Sequence, residues 1–573
     1  MKVFIFSRKV IIIGGFLLFF FASSASAISF SDVVSFYIDK NFDVSVRSQI
    51  SAQLVKTTPK LYFYIEKSWW DSQLQTKKDE ILSNLDVLSY EFESRIYPTL
   101  TFIFGFEWKP GVDGDEKITV LFTDMNNHEG GYFRTNDEYI KLQLSDSNER
   151  EMVYLSLDLL SNPRAKVVLA HEFVHLITFN QKDRAFGVEE EVWLNEARAD
   201  YSSNILGYDS QYEGSNLQSR VKDFVGSISD SITEWRGTKY DYASSGLFTY
   251  YLVDHFGISI LSDSLESKYV GIESINYALD KVGYKEDFSE IFTDWTVALV
   301  VNDCSLGFKY CYFNKNLSNF KISPALNFLP LSGDVSLSVS SVTKNWSGNW
   351  QKFIGGKGDF TLDFSSLAGL DFKVPYVLEN ENGNRSIEFL SLDKNEKGQI
   401  NLLDFGTKYK SLIIIPSLQT KTSGFDGVEF TYPFTYSVQI KGEEQSDGQT
   451  LIQQLLEQIE YLKKQIAELQ AKLSGGSSGA NYCNQINNNL YFGLSGNKEV
   501  ECLQQFLKNQ GANIYPEGLV TGYFGSLTKA AVIRFQEKYV SEILAPLGLY
   551  SGTGFVGSST KAKINQLLLL NIK

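Results

Sequence analysis

His171-Glu172-Phe173-Val174-His175 sets two imidazoles four residues apart with a carboxylate beside the first. On a helix, positions i and i+4 share a face, so both rings can reach one metal ion while Glu172 addresses a water on that ion. The stretch reads as helical. Asn162-Pro163 supplies a cap followed by proline at the first helical position, and Lys166 to Thr178 runs without glycine or proline, with Val167, Leu169, Phe173, Val174 and Leu176 as apolar filling. The chain has four histidines, so this pentad uses half of them. The competing reading is a helix with two surface histidines, and a third ligand decides between the two.

A candidate lies in Trp193-Leu194-Asn195-Glu196-Ala197-Arg198-Ala199-Asp200-Tyr201, which reads as a second helix ending near Gly207. Glu196 and Asp200 are again four apart on one face. Glu196 would complete a His2Glu set. Asp200, one turn on, could then accept the free ring N–H of a ligand histidine and fix its tautomer. The alternative is two solvated acids in an acidic stretch that includes Glu189, Glu190 and Glu191.

Together these two segments resemble the gluzincin metallopeptidases, the thermolysin-like group, in which HExxH is followed by an Asn-Glu-x-x-x-Asp helix. The Trp-Leu-Asn-Glu segment and its flanks are most similar to the hyicolysin-type peptidases. The resemblance implies His171, His175 and Glu196 as ligands of Zn2+, Glu172 as general base, and Asp200 as the carboxylate partner of a histidine. The metzincin extension HExxHxxGxxH is absent, since Thr178 and Gln181 stand at the positions concerned. Three protein ligands leave a fourth position for water, whose pKa zinc lowers to about 7, and peptide hydrolysis is the implied outcome.

The oxyanion of such a reaction needs a further donor. Gluzincin aminopeptidases place a tyrosine at the head of a helix similar to the apolar run Phe248 to Phe256, which Tyr240-Asp241-Tyr242-Ala243-Ser244-Ser245-Gly246-Leu247 precedes. The resemblance therefore implies Tyr242, then Tyr240, against the reading of an ordinary core or surface phenol among 31 tyrosines. His255 is an alternative donor, or a structural histidine within an apolar helix. Gly130-Gly131-Tyr132-Phe133-Arg134, followed by Tyr139 to Leu144, reads as a turn leading into an alternating strand. In gluzincins an edge strand above the metal helix pairs with the substrate backbone. The Gly-x-Met-Glu-Asn strand of the aminopeptidases is absent, which favours an endopeptidase.

Lys2, Arg8 and Lys9 flank an apolar stretch from Val10 to Phe21, and Ala25-Ser26-Ala27 precedes Ile28. This predicts a secretory signal peptide cut after Ala27, without a lipoprotein cysteine and without a transmembrane anchor once cleaved. In an exported chain the cysteine pairs Cys304/Cys311 and Cys483/Cys502 suggest two local disulfides, one of three connectivities. The net charge of −15 argues against a nucleic-acid partner. Ca2+ is a second candidate ion, with Asp113-Gly114-Asp115 as a potential contributor, although a turn before a strand explains that segment equally well.

At 573 residues the chain predicts several domains. The expected fold class is multidomain α+β. Residues 1–27 form the signal peptide and 28–60 an N-terminal segment, a candidate prosegment. Residues 61–320 form the metallopeptidase domain, with strands at Leu61–Ile65, Thr99–Phe106, Ile118–Phe122 and Ile140–Leu144, a helix at Asp71–Glu93, and helices from Pro163 onward. Residues 321–441 alternate in short runs such as Val335–Val339, Phe360–Phe364 and Ser411–Ile415, the signature of a β-sandwich, read as a spacer ahead of a binding module. Residues 442–480 hold three heptads, with Ile452, Ile459 and Ile466 at a and Leu455, Leu462 and Leu469 at d, and a Gly/Ser linker. That coiled coil makes residues 449–473 a candidate homodimer contact, against a monomeric stalk.

Residues 481–573 carry an internal repeat. Gly522-Tyr523-Phe524-Gly525-Ser526-Leu527-Thr528-Lys529-Ala530 is echoed by Gly554-Phe555-Val556-Gly557-Ser558-Ser559-Thr560-Lys561-Ala562. This pattern resembles the small helical peptidoglycan-binding-like domain appended to exported hydrolases, which implies attachment to cell wall or surface glycan. The expected whole is a secreted, wall-associated zinc endopeptidase acting on protein or peptide substrates. Its alternatives are a surface adhesion or structural protein with a metallopeptidase scaffold, an aminopeptidase, and a wall-peptide hydrolase.

Overall fold

The computed structural model describes residues 33–126, 130–330, 334–425, 427–441, 485–494, 498–516, 518–547, 549 and 551–570. The expected signal peptide, the coiled coil with its linker, and Cys483 lie outside the described residues. The described chain falls into two units, one through residue 445 and one from residue 446.

The first unit begins with a six-stranded sheet in the order β1-β2-β3-β4-β6-β5. Its strands are β1 (Val33–Tyr37), β2 (Gln49–Thr57), β3 (Leu61–Glu66), β4 (Ile118–Thr123), β5 (Gly131–Phe133) and β6 (Met152–Ser156). The three central strands β3, β4 and β6 run parallel, with antiparallel strands at both margins. Alternate residues of the central strands face two separate clusters: Phe63, Val120, Phe122 and Val153 enter the main core, while Tyr64, Leu121, Met152 and Tyr154 pack with Phe36, Ile50 and Leu54. Both faces are covered, which is why these strands read as unbroken apolar runs. The 28–60 segment, set apart in sequence as a candidate prosegment, thus supplies β1 and β2 to the sheet from Val33 onward. Its placement rests on the alternation of Ile50, Ala52 and Leu54 into the core.

Two strand expectations are corrected. Tyr97–Phe104 is a helix, with Pro98 in its first turn, and buries Leu100, Thr101 and Phe104 on one face. Its aromatic and β-branched residues suit a strand locally, but Tyr97 stacks on Phe173 at 5.5 Å, and packing on the neighbouring helix decides the conformation. Ile140–Leu144 is a turn region following a short 3-10 helix, Thr135–Glu138. There Ser147 Oγ donates to Tyr139 O and Leu144 N bonds Ile140 O, so the backbone bonds are local ones. The expected Asp71–Glu93 helix is present as Lys67–Ser72 and Gln75–Glu91.

Nine of the eleven strands between Ala325 and Lys441 form two layers over one core, and Phe372–Lys373 pairs separately with Ser417–Leu418. One layer holds Pro375–Asn380, Arg385–Phe389, Tyr409–Ile414, Gln351–Gly355 and Ala325–Leu329. The other holds Lys397–Phe405, Gly358–Ser366, Tyr432–Lys441 and Val335–Thr343. A single residue pair, Phe405 with Tyr409, joins the layers at their margin, and Phe353 meets Tyr436 edge-on across the core at 5.5 Å. The spacer reading does not describe this module. Trp346, Trp350, Val377, Ile413, Ile415 and Phe425 belong to the same hydrophobic cluster as Phe173 and Val174 of the helix that carries His171 and His175. Trp350 Nε1 donates to Thr296 O at 2.8 Å, and the backbones of Ile232 and Trp235 donate to Trp346 O and Gly427 O. The segment leading into the helix Lys239–Phe256 is therefore held by the sandwich.

Cys304 and Cys311 form a disulfide, and Cys502 is also disulfide-bonded. The second unit contains helices Lys498–Asn509, Ser526–Lys538 and Ser558–Leu570 around a core of its own that includes Leu503, Phe506, Phe524, Phe535 and Ile564.

Candidate metal centre

The pentad sits on the helix Ala165–Thr178, whose entry is fixed by Asn162 Oδ1 accepting from Arg164 N at 3.0 Å. Leu169, Phe173, Val174 and Leu176 are buried, and Phe173 is locked between Phe92 and Tyr97. That anchors one side of the helix and turns His171 and His175 to another. The edge strand β5 runs beside it. A side chain at Gly131 would meet Tyr154 O at 2.6 Å and Val168 Cγ1 at 2.9 Å, so glycine is needed for strand and helix to approach this closely. Phe133 of β5 lies parallel to the His175 ring at 6.4 Å.

The second ligand helix, Val192–Ile205, brings Glu196 to the histidines. His171 Nε2 lies 3.1 Å from Glu196 Oε2, and His175 Nε2 lies 3.7 Å from Glu196 Oε1. Ligand atoms about 2.0–2.2 Å from a tetrahedral ion stand roughly 3.3–3.5 Å apart. One ligand atom from each of the three residues lies within 4.8 Å of the others, and two imidazoles with a carboxylate are zinc donors, so the set fits zinc in its chemistry. His175 Nδ1 lies 3.1 Å from Asn195 Oδ1, which fixes the ring's orientation with Nε2 toward Glu196.

Burial opposes charge on His171, but the hydrogen bond to Glu196 and the charges of Glu172, Glu196 and Asp200 raise it to about 9. His175 moves the other way, because burial and the neighbouring His171 and Arg198 outweigh Glu196 and Asn195. For Glu196, burial is overcome by the two histidines and its carboxyl is held below the ordinary range. Glu172, next to His171 in sequence, is 4 % exposed.

Asp200 has different partners from those expected. Arg220 donates to both of its oxygens, Nε to Oδ2 at 2.9 Å and Nη2 to Oδ1 at 2.7 Å, and Asn216 Nδ2 donates to Oδ1 at 2.8 Å. The carboxylate is thus fixed by the helix Asn216–Gly226 and reaches His171 through its charge, while no hydrogen bond joins it to a ring nitrogen among the described residues. Gly246, on the helix Lys239–Phe256, gives this pair room: a Cβ there would stand 3.3 Å from Asp200 Oδ2. Tyr242 is in the first turns of the same helix, under the Arg220 guanidinium at 4.8 Å and edge-on to Trp235 at 4.8 Å. It is linked to the ligand set through Arg220 and Asp200. Tyr240 packs near Gly226. His255 stands with the disulfide loop instead, its Nε2 at 2.9 Å from Cys311 O and its ring against Tyr251 and Phe313.

Asn195, Asn216 and Arg220 received no role from sequence. Asn195 was in plain view beside Glu196; Arg220 comes from another helix and carries no spacing signal. The Asp113-Gly114-Asp115 acids are engaged in a turn: Asp113 Oδ1 accepts from Asp115 N, and Asp115 accepts from Lys117 N and the Tyr62 hydroxyl.

A second group of potential ligands, Asp230, Glu234 and Asp241, offers carboxylate oxygens within 4.8 Å of one another. Arg236 Nη2 binds Asp230 Oδ1 at 2.6 Å and lies 3.5 Å from Asp241 Oδ1, and Lys344 of the sandwich binds Glu234 Oε2 at 2.6 Å. Burial, with the charges of Asp241 and Glu234 and against Arg236, pushes the Asp230 carboxyl up to about 7.

Residues 496–542 match the family described as "Putative peptidoglycan binding domain". No curated protein matches the chain. Among solved structures, the pre-peptidase C-terminal domain of collagenase from Bacillus anthracis is 13 % identical, with 20 % of this chain and 96 % of that one covered and a TM-score of 0.13. The periplasmic g-type lysozyme inhibitor PliG of Aeromonas hydrophila is 9 % identical, covering 21 % and 100 %, at 0.14. The surface-associated copper-binding protein CorA of Methylomicrobium album BG8 is 8 % identical, covering 21 % and 98 %, at 0.14. Likenesses at these scores support no inference.

Proposed function

We propose that this chain is an exported, wall-attached zinc endopeptidase. The observation that carries the reading is the convergence of His171, His175 and Glu196 within 4.8 Å, with the carboxylate of Glu172 adjacent in sequence to the first ligand. Zinc, when bound, would supply Lewis acidity and lower the pKa of its water to about 7. The work of this chain's residues is then definite. Glu172 takes a proton from the attacking water and delivers it to the leaving amine. Asn195 orients His175, and Arg220 holds Asp200 ionised behind His171. β5, at the sheet margin beside the metal helix, offers the substrate backbone a strand to pair with. Tyr242 is the candidate donor to the oxyanion.

Attachment to cell wall is supported by the family match at residues 496–542, and export by the disulfide Cys304–Cys311, a bond that persists in oxidising compartments. No helix among the described residues is long and apolar enough to cross a membrane. The test is hydrolysis of casein and of blocked peptides, with and without a chelator, by the wild type and Glu172→Gln. Expected are loss of activity with chelator and a drop of about 100- to 10,000-fold for Glu172→Gln. Cleavage that survives either treatment contradicts the reading, and cleavage of wall peptides without casein would narrow the substrate to the wall.

A further inference from the structure

The C-terminal unit repeats one device at an interval of 32 residues (536 − 504). Gln504, buried in the helix Lys498–Asn509, accepts at Oε1 from Thr521 N and Gly522 N, and donates from Nε2 to Tyr523 O and Thr528 Oγ1. Gln536 does the same for the second turn, accepting from Thr553 N and Gly554 N and donating to Phe555 O and Thr560 Oγ1. Each carboxamide fixes a glycine turn and leaves the aromatic side chain after it at the surface, with Tyr523 47 % and Phe555 43 % exposed. The strap before the first helix ties the two turns together: Leu490 pairs with Val556, and Gly493 and Leu494 exchange bonds with Phe524. It brings two more exposed rings, Tyr491 and Phe492, to the same side.

The turns differ in what surrounds their ring. Tyr491 stacks on Phe555, with centroids 6.4 Å apart and planes 23° apart. Phe555 lines a cavity of about 360 Å³ together with Asn489, Thr553, Gly557, Ser558 and Ser559. Its lining offers hydroxyls, a carboxamide and apolar surface, and includes no charged side chain. A stem peptide with free carboxylates would call for Arg or Lys there. A neutral sugar fits, because its C–H face can lie on an aromatic ring while its hydroxyl and acetamido groups exchange hydrogen bonds with the rim.

We propose that the glycan strand of peptidoglycan, through an N-acetylated amino sugar, docks on Phe555 and Tyr491 at the cavity of the second turn. This rests on the wall-attachment reading and gives it a place and a ligand class. The test measures retention of the full chain on purified peptidoglycan, with peptide-free glycan strands or free stem peptides as competitors. Glycan strands should release the wild type and stem peptides should not. Phe555→Ala should weaken retention by about tenfold, the scale of losing one seated ring. Asn489→Trp, which sets a bulky side chain in the cavity from an exposed position, should do likewise with unchanged circular dichroism. Release by stem peptides alone, or wild-type retention of both variants, would overturn the glycan site while leaving wall attachment standing. A wild type that is not retained at all overturns wall attachment and this site together, and leaves the peptidase reading to its own assay.

Discussion

Among the described residues two clusters of three potential metal ligands occur, and they are completed in different ways. At Asp230, Glu234 and Asp241 the acids are answered by fixed cations, Arg236 from their own loop and Lys344 from the sandwich. At His171, His175 and Glu196 no lysine or arginine among the described residues is bonded to the candidate ligand atoms, and the histidine ring nitrogens face the carboxylate. The first cluster is held by these cations, with Asp230 Oδ2 and Asp241 Oδ1 left buried and without a hydrogen bond; the second is a set of donors facing one another, the arrangement on which the zinc proposal rests. The difference teaches that proximity of acids alone does not mark a metal site, and that the counter-charge already present decides.

Asp200 is where the candidate metal site shares the other cluster's device, since Arg220 answers it with two bonds. Arg220→Ala leaves that carboxylate buried without its cation and should cost about 3 kcal/mol of stability in denaturant unfolding. It should also weaken metal affinity, because Asp200 stands behind His171. Unchanged stability would mean that Asp200 is not ionised in the native state.

A smaller effect separates the clusters by pH. Asp230 in the folded chain is pushed up to about 7, against an ordinary carboxylate value of 3.8. Between these values the native state binds a proton that the unfolded chain has released, so this group stabilises at low pH and its contribution is lost as pH rises through about 7. Asp230→Asn should therefore flatten the fall in melting temperature between pH 5 and pH 8, with zinc binding untouched. A variant that loses stability equally at both pH values would show that Arg236 alone sets the balance.

Much of the metal site was legible because its signal is local. Two i, i+4 pairs on two helices name His171, His175, Glu196 and Asp200 without any knowledge of how the helices pack. The partners of Asp200 were not legible, since Arg220 and Asn216 reach it from a third helix. The central strands β3 and β4 were readable as apolar runs while β6, Met152–Ser156, was not read, and Tyr97–Phe104 was misread because the packing of Tyr97 on Phe173 overrides the strand preference of its residues. The sandwich was recognisable from alternation, but its weld to the helical half depends on Trp346 and Trp350 inserting into a distant core, which no pattern of period two reveals. In the C-terminal unit the repeated glycine turns were visible as text, while the buried glutamines that fix them appear only as bonds across 17 or more positions.

The most direct measurement is metal content by mass spectrometry after dialysis against a trace of zinc, for the wild type, His175→Ala, Glu196→Ala and Asp230→Asn. One zinc per chain is predicted for the wild type and for Asp230→Asn, and substantially less for the two ligand variants. Equal zinc in all four proteins, or loss only in Asp230→Asn, would contradict the assignment of the metal centre to His171, His175 and Glu196.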